Sequence, residues 1–179
     1  MEHFFLGGAI ITDRHIHQGS SMHSGALEHM CVNPDGPLCY CGNRGCLETY
    51  CSANALEQAA GMPVKEFFPL LREKKSPQII QIWKDFLNHL AFAMKNLNLI
   101  IDAPIILSGY LAPYFTEEDI ERIKNFTSKE NRANGAIDPP FLYNAIYDCE
   151  NRASTESHIV TIPFLTKSVN VHERIAGPL

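Results

Sequence analysis

Four cysteines, Cys31, Cys39, Cys41 and Cys46, fall within sixteen consecutive positions of a 179-residue chain, and no other stretch constrains its local folding as tightly. In a secreted chain such density reads as disulfides. Here the N-terminal stretch MEHFFLGGAIITDRH has no basic leader and no long apolar run, so the expected compartment is cytoplasmic and the thiols call for a metal. His29, Cys39, Cys41 and Cys46 have the spacing His-x9-Cys-x-Cys-x4-Cys, with Gly42, Asn43 and Gly45 between the last two thiols. Three thiolates and one imidazole form a closed tetrahedral donor set, the usual choice for structural Zn2+, and glycines let a short loop fold its sulfurs inward. The competing reading of the same residues is three buried reduced cysteines beside an exposed histidine. Cys31 and Cys51 lie near the loop but outside the ligand spacing.

Charge narrows the partners. Fifteen Lys and Arg against 20 Asp and Glu give a net charge of −5 and a pI of about 5.9, so no direct nucleic-acid partner is expected. No segment reaches the roughly 18 apolar residues of a membrane span, which removes a membrane partner as well. An apolar content of 45% with 20% charged residues suits one globular domain.

Along the chain, residues 3–18 read as two β segments joined by a tight turn at Asp13-Arg14, with Gly7-Gly8 marking a close backbone approach or a bulge. After a polar loop and the cysteine loop, residues 47–61 read as one helix stopping at Gly61. A shorter helix follows from Pro63 to Lys74, with Phe67, Phe68, Leu70 and Leu71 on its apolar side. Ser76-Pro77 opens the strongest helix, where Ile79, Trp83, Phe86, Leu87, Leu90, Met94 and Leu97 recur at core-packing intervals to about Asn98. Residues 100–108 read as a buried strand of a mostly parallel sheet, and Thr116-Glu117-Glu118-Asp119 opens a further helix. Beyond Phe126 only FLYNAIYDC and HIVTIPF look ordered. The order of elements indicates an α/β domain.

The run Cys39-Tyr40-Cys41-Gly42-Asn43-Arg44-Gly45-Cys46-Leu47-Glu48 resembles, position for position, the Cys-x-Cys-Gly-x-x-Gly-Cys-x-Glu signature of the ROK family, the bacterial sugar kinases and sugar-responsive repressors. Leu6-Gly7-Gly8-Ala9-Ile10-Ile11 is similar to the family's glycine-rich β segment, and Ile105 to Tyr110 to its apolar strand and Gly-Gly adenosine contact. The look is closest to the allose- and glucose-type kinases. The resemblance implies one actin-like, ribonuclease-H-like lobe with a zinc-stapled loop, in which His29 ligates zinc with one ring nitrogen and faces sugar hydroxyls with the other. It makes Glu48 a sugar hydrogen-bond acceptor, and Gly7, Gly8 and Gly109 nucleotide-side contacts. On position alone, Glu48 is also a first-turn helix acid favoured by the dipole.

The chain departs from the pattern in two ways. The family's Gly-Glu-x-Gly-His stands here as Gly25-Ala26-Leu27-Glu28-His29, so a sugar-binding carboxylate is replaced by Ala26 and a glycine by Glu28. Neighbouring positions of an extended segment face opposite ways, so Glu28 is not expected to stand in for the lost carboxylate. The Asp-x-Gly-x-Thr phosphate loop and the Asn-Asp pair of the family's N-terminal lobe do not occur, so residues 1–179 read as the C-terminal lobe alone, with 127–179 poorly matched. No catalytic residue is assigned. The expected function is the zinc-containing lobe of a hexose kinase, using ATP and Mg2+ only when completed by an N-terminal lobe, with a homo-oligomer as the other route to covering its open face. The alternatives are a non-catalytic sugar-sensing domain of a repressor and a degenerate remnant. His15 and His17 read as exposed strand residues, Asp102 and Asp138 as turn residues, and Cys149 as a poor nucleophile; His3, His89, His158 and His172 stand isolated.

Overall fold

The computed structural model describes residues 5–13, 15–101, 103–131, 142–144 and 158–164. His3, His172, Asp102, Asp138 and Cys149 therefore lie outside the described residues, as does most of FLYNAIYDC. The strands are β1 (Ala9–Thr12), β2 (His15–Ile16), β3 (Ile105–Gly109), β4 (Leu142–Asn144) and β5 (His158–Phe164). They form one five-stranded sheet in the order β2-β1-β5-β3-β4.

The sheet is mixed, not mostly parallel. β1 runs antiparallel to both β2 and β5, whereas β3 runs parallel to β4 and β5. Connection length explains the split. β1 and β2 meet across a tight turn at which Asp13 takes φ 51°, and such a link can only reverse the chain. Between β3 and β4 the chain passes through a helix, which allows a parallel crossover.

The helices are α1 (Glu48–Cys51), α2 (Ala53–Ala60), α3 (Val64–Glu73), α4 (Pro77–Ile101) and α5 (Glu117–Asn131). The single helix expected over 47–61 is two, broken at Ser52, whose backbone is extended at φ −79°, ψ 160°. Ser52 Oγ accepts a hydrogen bond from Ala55 N at 3.1 Å and so caps α2, the preference of a serine for local backbone partners over a helix interior. Gly61 ends α2 at φ 68°, as the sequence indicates.

In α3, Phe67 and Phe68 are buried as expected, while Leu70 is exposed. All seven stripe residues of α4 are buried. Trp83 is the hub: it stacks on Phe86 at 4.8 Å, meets Phe68 edge-on at 5.0 Å and contacts Phe115 at 5.3 Å between ring centroids. Its indole N–H donates to Asp119 Oδ1 at 2.8 Å. Asp119 Oδ2 accepts from Thr116 N at 2.9 Å, closing a capping box at the start of α5, so one carboxylate ties the helix end to the core.

The strand expected from Ile100 begins only at Ile105, because α4 continues to Ile101 and Pro104 keeps the preceding residue out of helical backbone. Ile100 is accordingly exposed, and Ile105 and Leu107 are fully buried in the sheet.

Candidate metal centre

The loop that carries the donor set is built from short turns. Cys39 N bonds Asn43 O at 2.8 Å and Gly42 N bonds Cys39 O at 2.9 Å, which brings Cys39 and Cys41 round on one turn. Val32 N and Gly45 N bond Gly45 O and Pro37 O, each at 2.8 Å, and fasten the returning strand to the outgoing one. Gly45 sits at φ 65°, and a Cβ there would overlap the Asn33 carbonyl, so this glycine is required both by backbone and by space. Leu47 N then bonds Met30 O at 2.8 Å, and α1 starts at Glu48 immediately after the last thiol.

This folding brings together all four of the residues singled out by spacing. The ligating atoms of His29, Cys39, Cys41 and Cys46 lie within 4.8 Å of one another. His29 Nδ1 is 3.7 Å from Cys39 Sγ, and Cys41 Sγ is 3.6 Å from Cys46 Sγ. A tetrahedral zinc site with Zn–S near 2.3 Å has S···S edges of about 3.8 Å, so these separations fit the ion. Cys39 and Cys46 are buried while Cys41 is exposed. Burial pushes the Cys39 thiol up and the Cys46 thiol up to about 12, whereas the Asn43 backbone N–H beside Cys41 lowers that thiol. A divalent cation would supply the charge that lets buried thiols ionise, and donor type and spacing make this cluster one that could hold a metal.

The other two described cysteines have separate fates, as their spacing implied. Cys31 pairs with Cys46 through a single antiparallel backbone bridge, its thiol free, exposed and outside the donor cluster. Cys51 is fully buried, its Sγ within 3.5 Å of Phe86 O, and burial holds its thiol well above the ordinary range. It packs α1 against α4 and is inert.

Two carboxylates lie near the donor set, Glu28 beside the His29 ring and Glu48 within electrostatic reach of Glu28. Glu48, only 5% exposed, accepts from Leu6 N at 2.8 Å and from the Ser52 hydroxyl, and burial raises its carboxyl to about 7. Its first-turn position is therefore also a structural post, which pins the entry to β1 against α1. Glu28 is where the extended-segment argument fails. Leu27–His29 is a turn of 3-10 helix, and it sets Glu28 Oε1 3.9 Å from His29 Nε2. Glu28 Oε2 is buried without a hydrogen-bond partner, and burial raises this carboxyl too. Tyr40 closes the cluster, its ring edge-on to His29 at 5.1 Å. Sequence reasoning assigned no role to Tyr40 or Ser52; the one available signal for Glu28 was an ionisable residue at a position that matches a glycine.

Gly8 makes the close backbone approach that the glycine pair signalled: a Cβ there would overlap Gly25 O and the Leu27 side chain. That contact seats β1 against the turn bearing Glu28 and His29. Gly109 ends β3 at φ 82°. His15 and His17 are exposed, His89 stacks on Tyr50 at 4.0 Å, and none of the three joins a donor cluster among the described residues. A separate cavity of about 370 Å³ between α3, α4 and α5, lined by Phe68, Trp83, Leu87 and Tyr114, shares no residue with the metal loop. No described helix is long and apolar enough to cross a membrane.

Comparison with known proteins gives this arrangement a context. The sequence model of the ROK family matches residues 6–127. An N-acetylmannosamine kinase of Vibrio cholerae is 33% identical over 108 residues, 58% of this chain and 38% of that protein. A xylose repressor of Bacillus subtilis is 45% identical over 51 residues, 28% of this chain and 13% of the repressor. The ROK hexokinase of Thermus thermophilus has a similar fold, with a TM-score of 0.67 at 24% identity, over 79% of this chain and 51% of the hexokinase. The chain thus spans well under two thirds of the length of the relatives it matches.

Proposed function

Since this chain belongs to the ROK family, we propose that it is the zinc-containing C-terminal lobe of a sugar kinase and carries the sugar side of the site. The observation that carries the reading is the convergence of the His29, Cys39, Cys41 and Cys46 donors, with Glu28 Oε1 3.9 Å from His29 Nε2 and Glu48 near enough to Glu28 for their charges to repel. A metal ion there would fix the loop and the orientation of the His29 ring, while the carboxylates accept hydrogen bonds from neighbouring sugar hydroxyls. His29 and Glu48 are the sugar-facing residues in this reading. Gly7, Gly8 and Gly109 stay on the nucleotide side of the proposal, although steric need already accounts for Gly8.

Phosphoryl transfer from ATP with Mg2+ is mainly a matter of positioning and charge stabilisation, and it needs a base and a phosphate loop. No Asp-x-Gly-x-Thr or Asn-Asp sequence occurs in the 179 residues, so these parts would come from a further polypeptide segment or from a partner lobe. Relatives named for a kinase, a hexokinase and a repressor, all of sugars, favour a sugar ligand in either role. The 45% identity to the xylose repressor favours a second reading, a sugar-sensing domain without transfer activity.

Calorimetry of the zinc-loaded chain against neutral hexoses tests the proposal, with an ATP-coupled assay run alongside. Saturable binding of at least one hexose without turnover is expected, weakened about tenfold or more by Glu48→Gln. Binding that ignores this substitution would contradict the sugar-site assignment, and turnover by the chain alone would contradict the need for a second lobe.

A further inference from the structure

We propose that Glu28 is a positioning residue for His29, locking the imidazole so that Nδ1 faces the thiols and Nε2–H is held by the Glu28 carboxylate. Three observations converge on this. The ring is already oriented, with Nδ1 3.7 Å from Cys39 Sγ and Nε2 3.9 Å from Glu28 Oε1. One carboxylate oxygen is short of a donor, since Oε2 is buried with no hydrogen-bond partner, while the carboxyl draws support from its own backbone N–H. The 3-10 turn of Leu27–His29, closed by Met30 N bonding Leu27 O at 3.0 Å, brings two adjacent side chains to the same edge of the site.

The physical link is the tautomer. A metal on Nδ1 leaves the proton of a neutral imidazole on Nε2, which makes that nitrogen an obligate donor. A buried carboxylate oxygen lacking a donor is costly, and this N–H is the ring donor on the side of the Glu28 carboxylate, within reach of a small rotation of that group. Metal binding therefore creates the partner that Glu28 lacks, and Glu28 in turn favours the tautomer and ring angle that the metal requires. The other groups that bear on this are Glu48, whose charge acts on Glu28, and Tyr40, packed edge-on to the imidazole. Tyr40 limits rotation of the ring, and Glu48 is already held by Leu6 N and Ser52. The sugar-facing edge of His29 is then the His29–Glu28 pair, and a hydroxyl approaching it bonds the Glu28 carboxylate that holds the ring. The inference rests on the metal reading proposed above but not on the identity of any sugar.

Competition with a chromophoric chelator measures zinc affinity in the full chain and in its Glu28→Ala, Glu28→Gly and Glu28→Gln variants, with circular dichroism confirming that each folds. Loss of an outer partner of a ligating histidine typically weakens metal binding about 10–100-fold, so that loss is expected in the Ala and Gly variants. The Gln amide oxygen still accepts from Nε2–H, so that variant should stay within about threefold of the parent. Equal affinity in all four proteins, or a Gln variant as weak as the Ala variant, would overturn the proposal. Long-range proton–nitrogen NMR of the zinc-loaded chain reads the tautomer directly: a protonated Nε2 is expected, and a metal-bound Nε2 would overturn it. A parent chain that holds no zinc would refute the metal reading itself, whereas a zinc-holding parent indistinguishable from its variants would refute only the role of Glu28.

Discussion

The metal loop and the helical core of this chain are held together by opposite means. In α3, α4 and the link into α5 the order comes from burial: Phe67, Phe68, Trp83, Phe86 and Phe115 are each no more than 4% exposed and pack ring against ring. In residues 27–48 the backbone turns through short hydrogen-bonded bends with few apolar side chains, Leu38 and Tyr40 pointing to solvent. There, in the function proposed above, a metal on the four donors of the cluster would do the work that aromatic packing does elsewhere. The lesson is that stability of the two regions should respond to different perturbations, with Leu47 and Cys51, both fully buried, as the points where they join.

The largest separation of the two should come from the thiols. Cys46→Ser removes a buried ligand, and because structural zinc contributes on the order of 10 kcal/mol in isolated zinc fingers, the loop should release its metal and unfold locally while α4 persists. Metal analysis and helical circular dichroism check both halves of that statement. In the other direction, Trp83→Ala should cost about 3–5 kcal/mol in urea unfolding while leaving zinc stoichiometry unchanged in the folded protein.

A smaller effect distinguishes two glycines of the loop. Gly45→Ala meets both a positive φ and the Asn33 carbonyl, and should cost about 1–3 kcal/mol with weakened metal binding. Gly42→Ala has φ 89° but open space around it, so only the backbone strain of about 1 kcal/mol remains. Comparative urea denaturation of the two variants reads the difference. The smallest effect is expected from Ser52→Ala, which removes the cap of α2 and should cost about 1 kcal/mol in the same assay.

The same contrast decides what the sequence made legible. Regular apolar spacing marked α4 and its buried stripe, and the metal-ligand spacing marked the donor set, because each pattern has one favourable folded outcome. Reading was poorer where two local preferences competed. Ser52 offered both a helix interior and a cap, and the cap won; Ile100 and Ile101 looked like strand until Pro104 is taken as the boundary. The mixed sheet depended on β5, distant in sequence from β1 and paired with it only through the fold. Glu28 escaped for a related reason: its direction is set by a 3-10 turn seated on Gly8, a contact between two segments that no local pattern encodes.

Hydrogen exchange of the zinc-loaded chain, before and after chelation, tests most directly the account of a metal-held loop on a packing-held core. One zinc per chain is expected, and its removal should strip protection from the amides of Val32, Cys39, Gly45 and Leu47 while those of α4 from Phe86 to Leu97 exchange as before. A chain that binds no zinc, or a loop whose protection survives chelation, would contradict that account.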